Sequence, residues 1–220
     1  MRCIKVAMLA AQLTDFRCIL DLPSGYGRVL RTLKAYFPNA KLAACDLDKD
    51  AVEFCRRTFN AIPLYSATVP KDVKINDRFD LIWVGSLLTH LDNRKWDGFL
   101  ELFDSLLNPN GLLVVTTHGR RPAEWIRTGI SFYGMTVSQL YGLDNDQSEK
   151  LLRAYDTLGF GYVKYHSQND YGISLSSPAW VLSHIQKFAN LRLVTYLEYG
   201  WDNHQDVVAL IKMTPSMNAA

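Results

Sequence analysis

Five short, unbroken apolar stretches dominate the first 118 residues of this 220-residue chain. A strand that alternates apolar and polar residues exposes one face, whereas an unbroken apolar strand is typical of a parallel sheet covered by helices on both faces. The stretches are CILDL (18–22), KLAACDL (41–47), IPLYSA (62–67), DLIWVGS (80–86) and LLVVTTH (112–118). They predict an α/β fold built on a mostly parallel sheet.

Helical periodicity appears between several of these strands and is clearest over residues 93–107, where Trp96, Phe99, Leu100 and Phe103 lie on one apolar stripe. The NPNG segment (108–111) then predicts the end of that helix. Asp48 is placed to cap a further helix after the second strand. Alternating strands and helices favour a doubly wound sheet in three αβα layers.

Two strands close the chain, in LRLVTYLEYG (191–200) and HQDVVALIKM (204–213). The short WDN turn between them requires an antiparallel pair, so the sheet has seven strands with an antiparallel last strand. We expect one domain over 1–220, with 119–190 as an insertion between strands 5 and 6.

Within 119–190, we expect helices near 122–128 and 148–158, a strand at GYVKYHS (161–167) and a helix in SSPAWVLSHIQKF (176–188). Ser177 is the expected N-cap of the last of these, with Pro178 in its first turn.

The composition of the chain mainly indicates which partners and cofactors are not favoured. The 24 basic and 22 acidic residues leave a net charge of +2, and no basic run exceeds a pair, so nucleic acid is not favoured. The four cysteines form no CxxC pair and give zinc little support. No apolar stretch has the ~18 residues of a membrane span. The N-terminal MRCIKVAMLAAQL, interrupted by Lys5, reads as a helix packed on the domain. We therefore expect a cytoplasmic protein.

Gly25 and Gly27 lie between the first strand and the next helix, where ligand loops are found. A phosphate-binding P-loop needs Lys followed by Ser or Thr, and Arg28 is there instead. A dinucleotide fingerprint needs a small residue where this chain has Leu30. A plain turn that requires positive φ angles is the remaining alternative.

Two acids favour a ligand site over a plain turn. Asp21 ends the first strand, and a carboxylate there suits an ammonium group but repels phosphate. Asp46 ends the second strand, about 20 residues beyond the glycines, where an acid binds ribose hydroxyls. A turn cap for Asp21 and a helix-entry role for Asp46 are the alternatives, although Asp48 already serves as the helix cap. An amino acid linked to a nucleoside fits this set best.

Four ordered segments together resemble class I S-adenosylmethionine-dependent methyltransferases of the small-molecule group, which have a Rossmann-like core. They are ILDLPSGYGR, AACDLDKDAVEFC, RFDLIWVGSLLTHL and LLNPNGLLVVTTHG. The resemblance spans roughly residues 18 to 119, and LEYGWDNHQDVVALIK matches the closing strand pair. It implies S-adenosylmethionine as cofactor, S-adenosylhomocysteine as product, a small-molecule acceptor and no metal, with 119–190 on the acceptor side.

The resemblance also implies roles by position. Asp21 would hold the methionine amino group, Arg28 would lie near its carboxylate, and Asp46 would bind the ribose. Further cofactor contacts would come from Pro23, Ser24, Gly25, Tyr26, Gly27, Leu47, Ser66, Val84, Gly85 and Ser86. Pro23 replaces the family's first loop glycine, so loop contacts would come from the N–H groups of residues 24–27. Ser66 stands in for the acid that many members place near adenine.

Three histidines are candidates for the base that removes the acceptor's proton: His90, His118 and His204. They follow the fourth strand, end the fifth and occupy the last turn, all at one edge of the predicted sheet. In the insertion, Tyr133, Tyr165, His166, Tyr171 and Trp180 are candidates to line the acceptor pocket. A binding protein without methyl transfer and a nicotinamide oxidoreductase are the alternative functions.

Overall fold

A seven-stranded sheet forms the centre of the computed structural model, which describes residues 1–129, 135–166 and 171–214. Its strand order is β3-β2-β1-β4-β5-β9-β8. The strands are β1 (Cys18–Asp21), β2 (Lys41–Asp46), β3 (Ile62–Tyr65), β4 (Phe79–Val84), β5 (Leu107–Thr117), β8 (Leu191–Trp201) and β9 (Gln205–Lys212). Only β9 runs against its neighbours, β5 and β8. The predicted mostly parallel sheet with an antiparallel last strand is confirmed.

Helices cover both faces of this sheet and complete three layers. One face carries α1 (Arg2–Ala10), α2 (Leu30–Tyr36) and α3 (Lys49–Phe59), whose apolar sides pack on the core residues of that face. The other face carries α4 (Asn93–Leu106) and α8 (Pro178–Ile185). Asp48 caps α3 by accepting from the N–H groups of Asp50 and Ala51, as its position predicts. None of the helices in the described residues combines the length and apolarity that a membrane crossing requires.

The insertion between β5 and β8 has its own small core. It contains α5 (Arg120–Thr128), α6 (Val137–Tyr141), α7 (Asn145–Leu158), and the antiparallel pair β6 (Phe160–Lys164) and β7 (Gly172–Ser176). Leu151, Ile173 and Leu175 are fully buried in a cluster separate from the two faces of the main sheet. The predicted helices at 122–128, 148–158 and 176–188 are present, and Ser177 caps α8. The predictions missed α6 and β7.

One predicted boundary and one predicted burial pattern differ from the structure. β5 begins at Leu107 rather than at residue 112, because NPNG pairs irregularly with β4 and Asn110 takes a φ of 61°. β3 is half-exposed along its length, so the prediction that it is buried on both faces was wrong. The reason is its place at the edge of the sheet, where β2 is its only neighbouring strand among the described residues.

Candidate functional site

The carboxyl ends of four strands bring the predicted polar residues to one edge of the sheet. Asp21 ends β1, Asp46 ends β2, Ser86 follows β4 and His118 follows β5. Ligands of open α/β sheets bind outside this edge, where the strand order reverses between β1 and β4. The topology therefore places the site at this edge.

The glycine loop needs its glycines for conformation and for space. Gly25 and Gly27 have φ angles of 47° and 77°, which side chains rarely adopt. A Cβ on Gly27 would lie 2.5 Å from Cε2 of Phe59 in α3, whereas one on Gly25 would meet nothing within 4 Å. Gly27 is thus required by packing, and Gly25 has open space beside it.

The N–H groups of this loop are largely used within the protein. The N–H of Ser24 donates to the Cys45 carbonyl at 3.0 Å, and that of Gly27 donates to the Ser24 carbonyl at 3.0 Å. The N–H of Gly25 donates to Oδ2 of Asp46 at 2.7 Å. The expectation that residues 24–27 offer their N–H groups to a cofactor is not met for these three. They hold the turn in shape instead.

Asp46 has a structural role that the sequence did not reveal. Besides the bond from Gly25, its Oδ1 accepts from the N–H of Asp48 at 3.0 Å. Asp46 therefore takes part in the entry to α3 even though Asp48 is the helix cap, so the expectation that Asp48 leaves it without this role was wrong. A carboxylate offers about four lone-pair positions, so two remain for hydroxyl donors.

Asp21 is the most unusual group at this edge. Its side chain is 1% exposed, and neither carboxylate oxygen has a hydrogen-bond partner within the described residues. Burial raises the pKa of Asp21 to about 8, although the nearby N–H of Leu30 and the Arg28 charge act in the opposite direction. A buried carboxylate without a donor fits the amino group of an amino acid ligand.

A cavity of about 380 Å³ lies beside these acids. Its walls come from the ends of β1, β2 and β3, from the segment after β4, from α4 and from the insertion. The lining residues are Leu22, Pro23, Asp46, Leu47, Ser66, Ala67, Thr68, Leu87, Leu91, Lys95, Phe99 and Tyr171. Four predicted cofactor residues, Pro23, Asp46, Leu47 and Ser66, therefore share one cavity of the size typical for small ligands.

A larger groove of about 680 Å³ runs between the 3₁₀ turn Pro70–Asp72 and α4. Lys95 lines both this groove and the cavity, but the groove has no wall from the end of a strand. We therefore place the candidate site in the smaller cavity.

The segment after β4 is held by side chains from other strands. Val84 is buried in the core, and a Cβ on Gly85 would lie 2.6 Å from the Trp201 ring. The Arg28 guanidinium lies 5.0 Å from the centroid of the same ring, and Arg28 is exposed. Tyr26 of the loop is also exposed. Trp201 thus covers Gly85 on the side of the sheet that α1 packs against.

Ser86 uses both of its backbone groups within the protein. Its N–H donates to Oγ1 of Thr116 at 2.8 Å, and its carbonyl accepts from Oγ1 of Thr89 at 3.0 Å. Gln205 joins this network through Ser86 Oγ and Thr116 Oγ1. The backbone groups through which Ser86 would contact a cofactor are therefore already bonded within the protein.

The three predicted histidines form one cluster. The rings of His118 and His204 stack with centroids 5.0 Å apart, and those of His90 and His118 are 6.3 Å apart. Nε2 of His204 lies 2.7 Å from the Tyr141 hydroxyl, and Nδ1 of His90 lies 2.8 Å from the Gly172 carbonyl. Within the described residues, His118 Nδ1 is buried without a hydrogen-bond partner.

Burial disfavours the charged form of each of these rings. It lowers the pKa of His204 to about 4 and lowers the pKa values of His90 and His118. Each ring therefore favours its neutral form, in which one nitrogen keeps a lone pair.

The insertion residues predicted to line a pocket lie in different places in the structure. Tyr165 and Tyr171 pack around His90. His166 is exposed and pairs with Asp144, while Trp180 stacks on both Phe160 and His184. Tyr133 lies outside the described residues.

Residues 20–113 match a family model described as a methyltransferase domain. An S-adenosylmethionine-dependent methyltransferase from Clostridium acetobutylicum ATCC 824 superposes with a TM-score of 0.62 at 14% identity, over 96% of this chain and 90% of that one. The chain has the class I S-adenosylmethionine-dependent methyltransferase fold.

Two solved methyltransferases of the same fold carry S-adenosylhomocysteine. The N-methyltransferase NodS from Bradyrhizobium japonicum WM9 has a TM-score of 0.56 at 15% identity, over 96% of this chain and 85% of that one. A Burkholderia thailandensis 1,6-didemethyltoxoflavin-N1-methyltransferase has a TM-score of 0.59 at 16% identity, over 97% of this chain and 79% of that one. It also holds 1,6-didemethyltoxoflavin. No curated protein sequence matches the chain. At these identities the likeness shows the fold.

One polar residue at the same edge of this methyltransferase fold escaped the sequence reasoning. Asp206, at the start of β9, is fully buried and accepts from the Tyr196 hydroxyl at 2.8 Å and the Tyr199 N–H at 3.0 Å. Burial raises the pKa of Asp206 to about 6. Its only signal in the sequence is a charged residue at the start of an apolar strand.

Metal ligation has no candidate among the described residues, since no three His, Cys, Asp or Glu side chains there are grouped to hold an ion.

Proposed function

We propose that this chain is a methyltransferase that uses S-adenosylmethionine to methylate an oxygen or nitrogen nucleophile of a small molecule, such as a sugar or a specialised metabolite. The observation that carries this proposal is the buried carboxyl group of Asp21, without a donor among the described residues, one residue before Leu22 in the wall of the cavity that Asp46 also lines. An ammonium group and a ribose on one ligand satisfy both acids. The two solved relatives that hold S-adenosylhomocysteine support the same choice.

The residues at this edge of the sheet would each bind a different part of the cofactor. Asp21 binds the amino group, and Asp46 uses its two remaining lone-pair positions for the ribose hydroxyls. Leu47 and Ser66 then lie on the nucleoside side of the cavity. Lys95, which lines the same cavity, adds a positive charge at the α4 wall.

When bound, S-adenosylmethionine supplies a methyl group made electrophilic by its sulfonium. A neutral histidine of the cluster would take the proton that the nucleophile gives up when it is methylated. The protein's main contribution is to hold the acceptor in line with the methyl group, which supplies much of the rate enhancement in displacements of this kind. His90, His118 and His204 are the candidate bases.

The near-balanced charge of the chain supports a small-molecule acceptor over nucleic acid. Its four free cysteines agree with a reducing, cytoplasmic setting. We also propose that 1–220 works as a single domain, in which 119–190 covers the acceptor.

Calorimetry with S-adenosylhomocysteine and with NADH tests the cofactor class. We expect binding of S-adenosylhomocysteine alone, because the buried Asp21 side chain can pair with an amino group, whereas a pyrophosphate offers it no positive charge. Binding of NADH alone would replace the proposal with an oxidoreductase. Binding of S-adenosylhomocysteine without turnover of any member of a broad acceptor panel would favour a binding protein without methyl transfer.

A further inference from the structure

Tyr171 occupies the junction between the cavity and the histidine cluster. It comes from the insertion, directly before β7, and lines the same cavity as Asp46 and Leu47. Its backbone is fixed, because the Tyr171 carbonyl accepts from the N–H of Tyr165 at 3.1 Å. The insertion thus contributes a side chain to the wall of the candidate nucleoside cavity.

The face of the Tyr171 ring is occupied by His90. The two ring centroids are 4.6 Å apart and the planes differ by 20°, which is a stacked pair. Tyr165 lies near both, with its centroid 6.0 Å from each ring. His90, in the segment after β4, is therefore packed against two tyrosines of the insertion.

The tautomer of His90 follows from its backbone partner. Nδ1 lies 2.8 Å from the carbonyl oxygen of Gly172, the residue after Tyr171. The Tyr165 hydroxyl lies 3.2 Å from the same nitrogen. Because a carbonyl only accepts, whereas a hydroxyl can also accept, Nδ1 carries the proton and Nε2 keeps its lone pair. Neighbouring residues of the insertion thus fix both the plane of the ring and the nitrogen that is free to take a proton.

The charge states of Tyr171 and His90 are consistent with the stacking of their rings. Burial raises the pKa of Tyr171 to about 12, and the nearby negative charge of Asp46 acts in the same direction. Burial lowers the pKa of His90. Both side chains are neutral at pH 7, so their contact depends on stacking rather than on charge.

We propose that Tyr171 is a positioning residue that forms part of the nucleoside pocket and holds His90 with Nε2 free to act as the base. The proposal rests on the proposed function for the identity of the ligand. It makes His90, rather than His118 or His204, the base coupled to the cofactor site. It also requires that a nucleoside in the cavity alter the surroundings of His90 through the Tyr171 ring.

Calorimetry and histidine-selective ¹⁵N nuclear magnetic resonance test this proposal on the full chain with S-adenosylhomocysteine as the probe. In the wild type, we expect one His90 tautomer and a shift of its signals when the probe binds. Tyr171→Phe keeps the stack and should behave as the wild type. Tyr171→Ala and Tyr171→Leu should bind the probe about fivefold to tenfold more weakly, lose the single tautomer and lose the shift. Tyr36→Ala, an exposed tyrosine on α2, is the control.

The outcomes separate the two proposals. Wild-type affinity and an unchanged His90 response in Tyr171→Ala or Tyr171→Leu would overturn the role of Tyr171. Failure of the wild type to bind the probe would count against the proposed function instead. The tautomer comparison between ligand-free wild type and Tyr171→Leu would still test how His90 is held, even if Tyr171→Ala does not fold.

Discussion

Oδ2 of Asp46 accepts a 2.7 Å hydrogen bond from the N–H of Gly25, which joins the end of β2 to the loop after β1 across 21 residues of sequence. The same carboxylate accepts from the Asp48 N–H. One side chain therefore shapes the glycine loop, starts α3 and faces the cavity. Loss of this side chain affects folding and ligand binding together, and the test of its role must separate the two.

Asp46→Asn keeps one oxygen acceptor but removes the charge. We expect S-adenosylhomocysteine to bind more weakly by about 1.5–3 kcal/mol, the range for hydrogen bonds to charged groups. Calorimetry measures this change. Asp46→Ala should in addition lower the free energy of unfolding by about 1–3 kcal/mol, because the N–H groups of Gly25 and Asp48 lose their acceptor. Asp50→Asn, at an exposed position on α3, is the matched control, and equal affinity in Asp46→Asn and Asp50→Asn would remove Asp46 from the site.

Asp21 should make the ligand-free protein less stable as the pH rises. Its pKa is raised from 3.8 to about 8, so the folded state holds a proton that the unfolded state has lost between these values. The free energy of unfolding therefore falls with pH over this window, by up to about 1.4 kcal/mol per pH unit from this group. Denaturant unfolding of the wild type and Asp21→Asn at about pH 5 and about pH 8 measures the effect.

Asp21→Asn should be more stable than the wild type at the higher pH while binding S-adenosylhomocysteine far more weakly. A substitution that raises stability but weakens ligand binding is typical of a residue whose side chain serves the ligand. Equal pH slopes in the two proteins would show that Asp21 is not a buried acid without a partner.

Gly119→Ala should destabilise the fold strongly. A Cβ at this position would clash directly with the Asp206 carboxylate, which is buried and bonded to Tyr196 and Tyr199. Overpacking of this kind costs about 1–3 kcal/mol. Gly98→Ala on α4 is the control, because its Cβ would lie 3.2 Å from Pro70 Cγ and the helix gains from alanine. Thermal unfolding compares them, and equal transition temperatures would contradict the tight contact at Gly119.

His204 should make the protein acid-sensitive. Its pKa is lowered from 6.5 to about 4. Between these values, His204 is therefore protonated in the unfolded state and neutral in the folded state. Stability is lost as the pH falls through that window, by at most about 3 kcal/mol from this group. Asp21 and Asp206 act in the opposite direction there, so the informative quantity is the difference between the wild type and His204→Gln. A difference between wild type and His204→Gln that does not change with pH would contradict the burial of His204 as a neutral ring.

Much of the fold could be predicted because its signals are local. Unbroken apolar runs such as 18–22 and 80–86 mark strands covered on both faces, and the short turn at 202–204 determines the antiparallel pairing of β8 and β9. Asp21 and Asp46 could be found because each ends such a run. Strand ends in a parallel sheet meet at one edge.

The remainder depends on contacts between distant segments. β7 is five residues long, and its burial comes from α5, α7 and the 3₁₀ turn Leu88–His90 rather than from its own pattern. The surroundings of Asp206 are made by Gly119, Tyr196 and Tyr199, which no spacing rule connects. The stack of Tyr171 on His90 joins residues 81 positions apart. Sequence patterns locate the edge of the sheet, whereas packing determines which side chains meet there.

The most direct test of the central claim is a crystal structure of the chain with S-adenosylhomocysteine. The account predicts the amino group within hydrogen-bonding distance of an Asp21 oxygen, the ribose hydroxyls on Asp46 and the base in the cavity lined by Leu47, Ser66 and Tyr171. A nucleoside bound elsewhere, or an Asp21 carboxylate still without a donor in the complex, would contradict it.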